Sequence, residues 1–276
     1  MKNSYTRKAF AFANWKMAMT ISESLAFARE FCAAVGGLAH SMDIVLCPPF
    51  TALHALSQAL LDTSIDLGAQ NVHAASDKAH TGEISAVLAA DAGCRWVMLG
   101  HWEIRRRTGE TDVDCNKKMK AGFQAGLRPI LLMGEETQAR GGAEASLASR
   151  LPIMFENCEP ERVAQGVIVY EPEWTIGAKK PASPNYIATT CSFIRNWIGQ
   201  AFGKDVGQRM RIIYGGSVAP EHVENLLASP GLDGLGAGRK GRDPLAFAQI
   251  VQLIAAAKGL ALRREGENPG SYGGTA

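Results

Sequence analysis

The feature that most constrains this chain is an alternation of apolar strand and amphipathic helix, repeated eight times without a gap long enough for a second domain. Short apolar runs stand at Phe10–Ala13, Ile44–Cys47, Ile65–Ala69, Trp96–Leu99, Pro129–Met133, Val167–Val169, Arg211–Tyr214 and Leu232–Leu235. Runs apolar on successive residues read as strands buried on both faces. Between them lie helical segments. The first opens with Thr20-Ile21-Ser22-Glu23, a T-x-x-E capping box, and carries Leu25, Phe27, Ala28, Phe31 and Val35 before Gly36-Gly37 stops it. Further helices are expected over 51–61, 84–92, 112–125, 185–202, 220–228 and 244–258, with 135–161 a mixture of helix and loop. Strictly alternating strands and helices give a parallel sheet with crossover helices. Eight such units in about 250 residues predict an α/β fold, a closed (β/α)8 barrel. The expected boundaries are one catalytic domain over 9–262, with residues 1–8 and 263–276 as flexible termini.

Composition narrows the function classes. Hydrophobic residues make up 46% of the 276 residues and charged residues 20%, enough apolar content for a large core. A formal net charge of +2 argues against nucleic acid or an anionic membrane as partner. The six cysteines, at 32, 47, 94, 115, 158 and 191, form no C-x-x-C pair. They read as reduced thiols of a cytoplasmic protein rather than zinc ligands or a disulfide framework. Residues Met1–Lys8 are polar and carry no signal-peptide core. No G-x-G-x-x-G opens a helix after the first strand, and no metal cluster stands out, so neither metal nor organic cofactor is expected.

In a (β/α)8 barrel the working face is the carboxyl-terminal end of the strands. The first strand exits through Asn14 and Lys16, the fourth through Gly100-His101-Trp102-Glu103, the fifth through Gly134-Glu135 and the sixth through Glu171. The seventh and eighth exit through Tyr214-Gly215-Gly216-Ser217 and Gly236-Ala237-Gly238-Arg239. Glycine-rich turns let backbone N–H groups approach an anion, so these last two suit a phosphate. A carboxylate at a strand end, followed by a bounded loop, suits a general base with a lid over it. The loop is Pro172, Glu173, Trp174, Thr175, Ile176, Gly177, Ala178, Lys179, Lys180 and Pro181.

From about Phe10 to Lys258 these motifs resemble the triosephosphate isomerase family, whose fold is the TIM barrel. The resemblance rests on Asn14-Trp15-Lys16-Met17, Gly68-Ala69-Gln70-Asn71, Thr81-Gly82-Glu83-Ile84-Ser85, Gly100-His101 and Gly109-Glu110-Thr111-Asp112. It continues through Gly134-Glu135, Tyr170-Glu171-Pro172, Trp174, Ile176-Gly177 and Tyr214-Gly215-Gly216-Ser217-Val218. It implies interconversion of dihydroxyacetone phosphate and D-glyceraldehyde 3-phosphate, a step of glycolysis and gluconeogenesis, with no cofactor. By the same resemblance, Glu171 is the base, His101 the electrophile that polarises the carbonyl, Lys16 the cation that draws in the substrate, and Asn14 the group that orients it. Gly177, Ser217, Gly238 and the backbone of Arg239 match the phosphate grip. The segment holding Gln70, Asn71, Thr81, Gly82 and Glu83 matches a loop that inserts into a neighbouring subunit, which implies a homodimer or an assembly of dimers.

The chain departs from the family pattern beside the site. Trp102 stands where serine is usual, and Ile104 where arginine is usual, which leaves Arg105 or Arg106 to replace the customary partner of Glu110. In the lid, Glu173 replaces an apolar residue, Lys179 a glycine and Pro181 a threonine, and Arg239 also replaces a glycine. Two alternatives therefore stay open at this point: an isomerase of a related ketose phosphate, such as a tetrulose (erythrulose) phosphate, and a non-catalytic phosphosugar-binding barrel.

Overall fold

Eight strands pair in chain order and in parallel, each with its sequence neighbours, and the last pairs with the first to close the ring. The computed structural model describes residues 7–75, 78–138 and 143–260. The strands are β1 (Phe10–Asn14), β2 (Asp43–Cys47), β3 (Ile65–Ala69), β4 (Cys94–Leu99), β5 (Arg128–Met133), β6 (Val167–Tyr170), β7 (Arg211–Tyr214) and β8 (Gly234–Ala237). Around them run helices α1 (Ile21–Val35), α2 (Leu53–Ala59), α3 (Ala86–Asp91), α4 (Trp102–Thr108), α5 (Asp112–Gln124) and α6 (Glu144–Met154). The ring is completed by α7 (Pro160–Ala164), α8 (Pro184–Phe202), α9 (Lys204–Arg209), α10 (Val223–Leu227) and α11 (Pro244–Ala257).

Two apolar cores follow from the strand period of two. Phe10, Phe12, Val45, Cys47, Trp96, Met98, Ile130, Leu132, Val167, Val169 and Ile213 form one cluster that fills the barrel. The alternate residues, such as Ala11, Ile44, Leu46, Leu131, Ile168 and Ile212, pack with Phe27, Phe31, Ile194 and Phe247 of the helices. The capping box is present, with the Thr20 and Glu23 side chains each bonded to the other's backbone N–H.

Three expectations need correction. The eighth strand begins at Gly234, two residues later than the apolar pattern indicated, and runs to Ala237. Its ladder with β1 pairs Phe10 with Gly234 and Phe12 with Gly236. A Cβ on Gly236 would lie 2.0 Å from the Phe12 ring, and one on Gly234 would lie 1.7 Å from the Phe10 carbonyl oxygen, so both positions on β8 require glycine. Asp233 is not a strand residue; its carboxylate takes the Ile212 N–H and two arginines. Second, α4 occupies a stretch read only as a strand exit. None of its residues is buried, so no apolar stripe marks it; the His101 ring caps it and Gly109 ends it. Third, α9 was not anticipated, and it packs extensively on α8. Part of the mixed region 135–161 resolves into α6, with α7 following at Pro160; residues 139–142 lie outside the described residues.

The expected carboxyl-terminal tail, 263–276, and residues 1–6 of the amino-terminal one lie outside the described residues. Arg7 and Lys8, counted with that tail, are ion-paired to Asp233 and Asp43 at 2.6 Å each. All six cysteines are free thiols, four of them buried. No helix among the described residues is long and apolar enough to cross a membrane.

Candidate active site

At the carboxyl-terminal mouth of the barrel lies a cavity of about 480 Å³. Asn14, Lys16, His101 and Glu171 line it, as do Gly177, Ser217, Gly238 and Arg239. The residues singled out from sequence as catalytic or phosphate-binding therefore share one space. Of the ten loop residues, Ile176, Gly177, Ala178 and Lys179 face this cavity. Glu173 faces a neighbouring cavity, and Thr175 is buried with its hydroxyl on the Pro172 carbonyl, 2.7 Å away.

Lys16 is presented by a strained backbone. Its φ is +54°, in the left-handed region that side chains other than glycine rarely adopt. Two side chains hold it there. The Lys16 N–H donates to Asn14 Oδ1 at 2.9 Å, and Gln70 Nε2 donates to the Lys16 carbonyl at 2.8 Å and to the Cys47 carbonyl at 2.9 Å. Gln70, noted as part of the projecting loop, thus also fixes the exit of β1. The Lys16 ammonium pairs with Glu103 at 2.6 Å.

His101 is 5% exposed and caps α4 with its ring: Nδ1 accepts the Glu103 N–H at 3.2 Å. A backbone N–H can only donate, so Nδ1 carries the lone pair and a neutral ring holds its proton on Nε2. Burial, and then the Lys16 charge, lower the ring's pKa from 6.5 to about 4, so it is neutral near pH 7. Glu171 Oε2 lies 3.9 Å from Nε2, too far for a hydrogen bond. Its side chain is 13% exposed. Burial raises its pKa from 4.5 to about 8, with Lys16 pulling the other way and Glu103 and Glu173 adding to the rise. One buried acid–base pair is thus displaced in opposite directions, a weak imidazole base facing a strong carboxylate base.

The same cavity also carries a group of basic residues. Arg239, Lys240 and Arg242 line it with His222. Gly238 has no φ that demands glycine, and a Cβ there would meet nothing within 4 Å. Nothing in the protein itself requires glycine at this position, whereas an anion seated close to the backbone would.

The sequence reading passed over three groups. Glu103 pairs with Lys16; it was named only as part of a strand exit, and its spacing two residues beyond His101 was the available signal. Glu135, at the end of β5, does not line this cavity. It is 4% exposed and accepts from Tyr170 Oη, Trp174 Nε1 and Tyr186 Oη at 3.1, 2.8 and 3.0 Å, anchoring the start of the loop. The partner of Glu110 is Lys118, 2.5 Å away, not Arg105 or Arg106. Those two arginines pair with Asp112 and Glu173. Lys118, one α5 turn beyond Asp114, reaches what the residue at 104 cannot, and it also donates to Asn71 Oδ1 at 3.1 Å.

The segment leading out from Gln70 closes its neck with the His73 N–H on the Ile84 carbonyl, 2.7 Å. Thr81, Gly82 and Glu83 are exposed, and residues 76–77 fall outside the described residues.

Comparison with known proteins agrees with this geometry. A family model described as triosephosphate isomerase matches residues 9–254. A triosephosphate isomerase of Symbiobacterium thermophilum is 40% identical over 254 residues, covering 91% of this chain and 99% of that protein. One of Solibacter usitatus is 40% identical over 249 residues, covering 90% and 100%. The crystal structure of triosephosphate isomerase from Bartonella henselae superposes with a TM-score of 0.79 at 30% identity, covering 89% of this chain and 98% of that one.

Proposed function

The chain belongs to the triosephosphate isomerase family and interconverts dihydroxyacetone phosphate and D-glyceraldehyde 3-phosphate; from that premise we propose how its own residues do so within a single catalytic domain. The observation that carries the reading is the pair Glu171 and His101, 3.9 Å apart at one cavity wall and shifted in opposite directions.

Glu171 takes a proton from the carbon beside the substrate carbonyl and returns it to the neighbouring carbon. The hydrogen on such a carbon is weakly acidic, so a carboxylate made more basic by burial suits the task. As the proton leaves, charge develops on the carbonyl oxygen. His101 meets it with its Nε2–H, and the Lys16 ammonium offsets it from the other side. Asn14 acts twice, holding the Lys16 backbone through Oδ1 and offering its amide N–H groups to substrate oxygens. The backbone N–H groups of Gly177, Ser217, Gly238 and Arg239 grip the phosphate, with Lys240 and Arg242 adding positive potential. Residues 172–181 cover the reacting atoms and exclude water, which keeps the enediolate from expelling its phosphate.

The test is steady-state turnover of three-carbon and four-carbon ketose phosphates side by side. A larger kcat/KM for the three-carbon substrate is expected; turnover of the four-carbon substrate alone would overturn the reading.

The pH profile gives a second check. Glu171 must be ionised to act, so kcat/KM rises about tenfold per pH unit below its pKa and levels off above it. Beyond the substrate's own phosphate ionisation near about 6, a limb is expected close to pH 8, with no inflection from His101 at 6.5. A single limb at the ordinary carboxylate value of 4.5 would contradict the assignment.

We further infer a homodimer, or an assembly of dimers, with the segment 70–83 seated on the neighbouring subunit. Met17, next to Lys16, is 98% exposed, an unusual position for a methionine on an isolated barrel. The expected occupant is the partner's projecting loop. Met17→Arg places a charge in that contact twice, by symmetry. Losing two buried methionines at about 1.5 kcal/mol each weakens the dimer at least ~100-fold, which sedimentation at micromolar concentration reads directly. An unchanged sedimentation coefficient would remove Met17 from the interface. The free thiols fit a reducing compartment such as the cytoplasm.

A further inference from the structure

Arg106 lies outside the catalytic cavity, on α4, yet it joins that helix to the lid. Its Nη2 pairs with the Glu173 carboxylate at 2.9 Å. The same guanidinium lies over the Trp102 ring, 5.2 Å from its centroid. The Lys16 ammonium lies 5.6 Å from that centroid, and the ring stacks on His101 at 6.0 Å and 27°. A continuous run of contacts therefore leads from His101 through Trp102 and Arg106 to Glu173, the second residue of the lid and two residues beyond Glu171.

The contact is more than a solvated ion pair. Arg106 is 59% exposed, but the Glu173 carboxylate it meets is 13% exposed. The planar guanidinium is preorganised by the indole face, which lowers the entropy lost in forming the pair. The indole Nε1 is buried without a hydrogen-bond partner, so packing and cation–π contacts hold the ring in place.

The rest of the lid has its own ties. Tyr214 Oη accepts the Ala182 N–H at 2.9 Å at the far hinge, and Ser217 Oγ donates to the Thr175 and Ala178 carbonyls at 2.6 and 2.9 Å in the middle. At the near hinge, the Glu173 N–H donates to the Glu135 carbonyl at 3.0 Å and Trp174 Nε1 to the Glu135 carboxylate. Among the described residues, Arg106–Glu173 is the ion pair that ties the lid to the helix capped by His101.

We propose that Arg106 is a positioning residue for the lid: seated on Trp102, it holds the first hinge through Glu173 and biases the lid toward covering the cavity. This rests on the reading of Glu171 as base and of residues 172–181 as lid. It also gives a joint account of Trp102 and Glu173, the two departures nearest the base, as platform and anchor of one latch.

The test measures two quantities on one substrate: kcat/KM for isomerisation, and inorganic phosphate released per isomerisation. Under an open lid the enediolate can break its carbon–oxygen bond to phosphate. The bonding pair leaves with the phosphate, and the remaining three-carbon enol becomes a 2-oxoaldehyde, with no oxidant required. For a half-exposed pair, Arg106→Ala is expected to lower kcat/KM about two- to fivefold and to raise the phosphate ratio by a similar factor. In a Glu173→Gln background, where the anchor is already gone, Arg106→Ala is expected to change neither quantity further. Comparing within each background cancels the effect of the Glu173 charge on Glu171. Wild-type values of both quantities for Arg106→Ala, or an equal additional loss in the Glu173→Gln background, would overturn the latch. Glu171→Gln in the same assay keeps the two readings apart. If it turned over like wild type, the base assignment would fail; if it were inactive while Arg106→Ala behaved as wild type, the latch alone would fail.

Discussion

Glu171→Gln is expected to lower kcat/KM for dihydroxyacetone phosphate by about 10² to 10⁴, the range spanned by removing a well-placed general base. The amide fills the same space and preserves the packing, so the loss reads the missing basicity and not a cavity. The same variant is expected to be at least as stable as wild type at alkaline pH. The folded-state pKa of Glu171 is raised from 4.5 to about 8. Its protonated form is therefore the comfortable one, and the stability it contributes is full below pH 4.5 and lost as pH rises through 8. Glutamine does not titrate and is spared that loss. Thermal unfolding at pH 7 and pH 9 measures the difference, which should widen at the higher pH in favour of the variant. A catalytic group that is a burden on the fold is what an active site under strain predicts. If Glu171→Gln lost activity and stability together, the carboxylate would be a structural group.

Asp233→Ala is expected to give the largest stability loss among single changes away from the mouth, about 3–5 kcal/mol. The carboxylate side chain is 6% exposed and takes Arg7 Nε at 2.6 Å, Arg195 Nη2 at 3.1 Å and the Ile212 N–H at 2.9 Å. Its own backbone N–H and carbonyl bond Ile212 and Phe10, so it joins the chain's amino-terminal approach, α8, β7 and the start of β8. Alanine would leave the half-buried Arg195 guanidinium without its carboxylate and a β7 N–H without its acceptor. At roughly 2–4 °C per kcal/mol for a chain of this size, the melting temperature should fall by about 10 °C. Activity at 25 °C should change little, because Asp233 precedes β8 and the reacting groups follow the strands. A shift under about 2 °C would show that the network is replaceable by water.

Asp233 also marks where the sequence stopped being readable. Apolar runs located seven strands to within about two residues, because a parallel sheet covered on both faces needs continuous apolar stretches. The eighth was displaced by two residues at both of its ends. Glycines interrupt its apolar run because the Phe10 backbone leaves no room at Gly234 and the Phe12 ring none at Gly236, a constraint that lies more than 200 residues away in sequence. The helix α4 was invisible for a different reason: it buries nothing, so no periodicity records it, and its cap is a histidine ring rather than a serine or aspartate. The placing of the candidate site residues was legible too. Asn14, Lys16, His101 and Glu171 stand at the ends of strands, where the barrel brings them together whatever the loops do. What those residues are bonded to was not legible. That Asn14 and Gln70 hold the left-handed Lys16, that Glu135 turns away to anchor the lid, and that Lys118 instead of Arg105 or Arg106 serves Glu110 all depend on side-chain reach across separate strands.

Two of the departures from the family pattern become intelligible together. The Trp102 ring is a platform on which Arg106 and Lys16 pack. Glu173 would be a poorly solvated charge at a hinge unless paired, and Arg106 pairs it. Nothing in the structure explains Lys179 in place of glycine; its side chain is exposed at the edge of the cavity.

The most direct measurement of the central claim, proton transfer through an enediolate by Glu171, is the conversion of dihydroxyacetone phosphate to glyceraldehyde 3-phosphate in D2O, followed by NMR. A carboxyl group that holds the proton between two carbons exchanges it with solvent, so the product should carry deuterium at C2, and Glu171→Gln should slow turnover and labelling together, about 10²- to 10⁴-fold. A product carrying only protium at C2, formed at the wild-type rate by Glu171→Gln, would contradict the account.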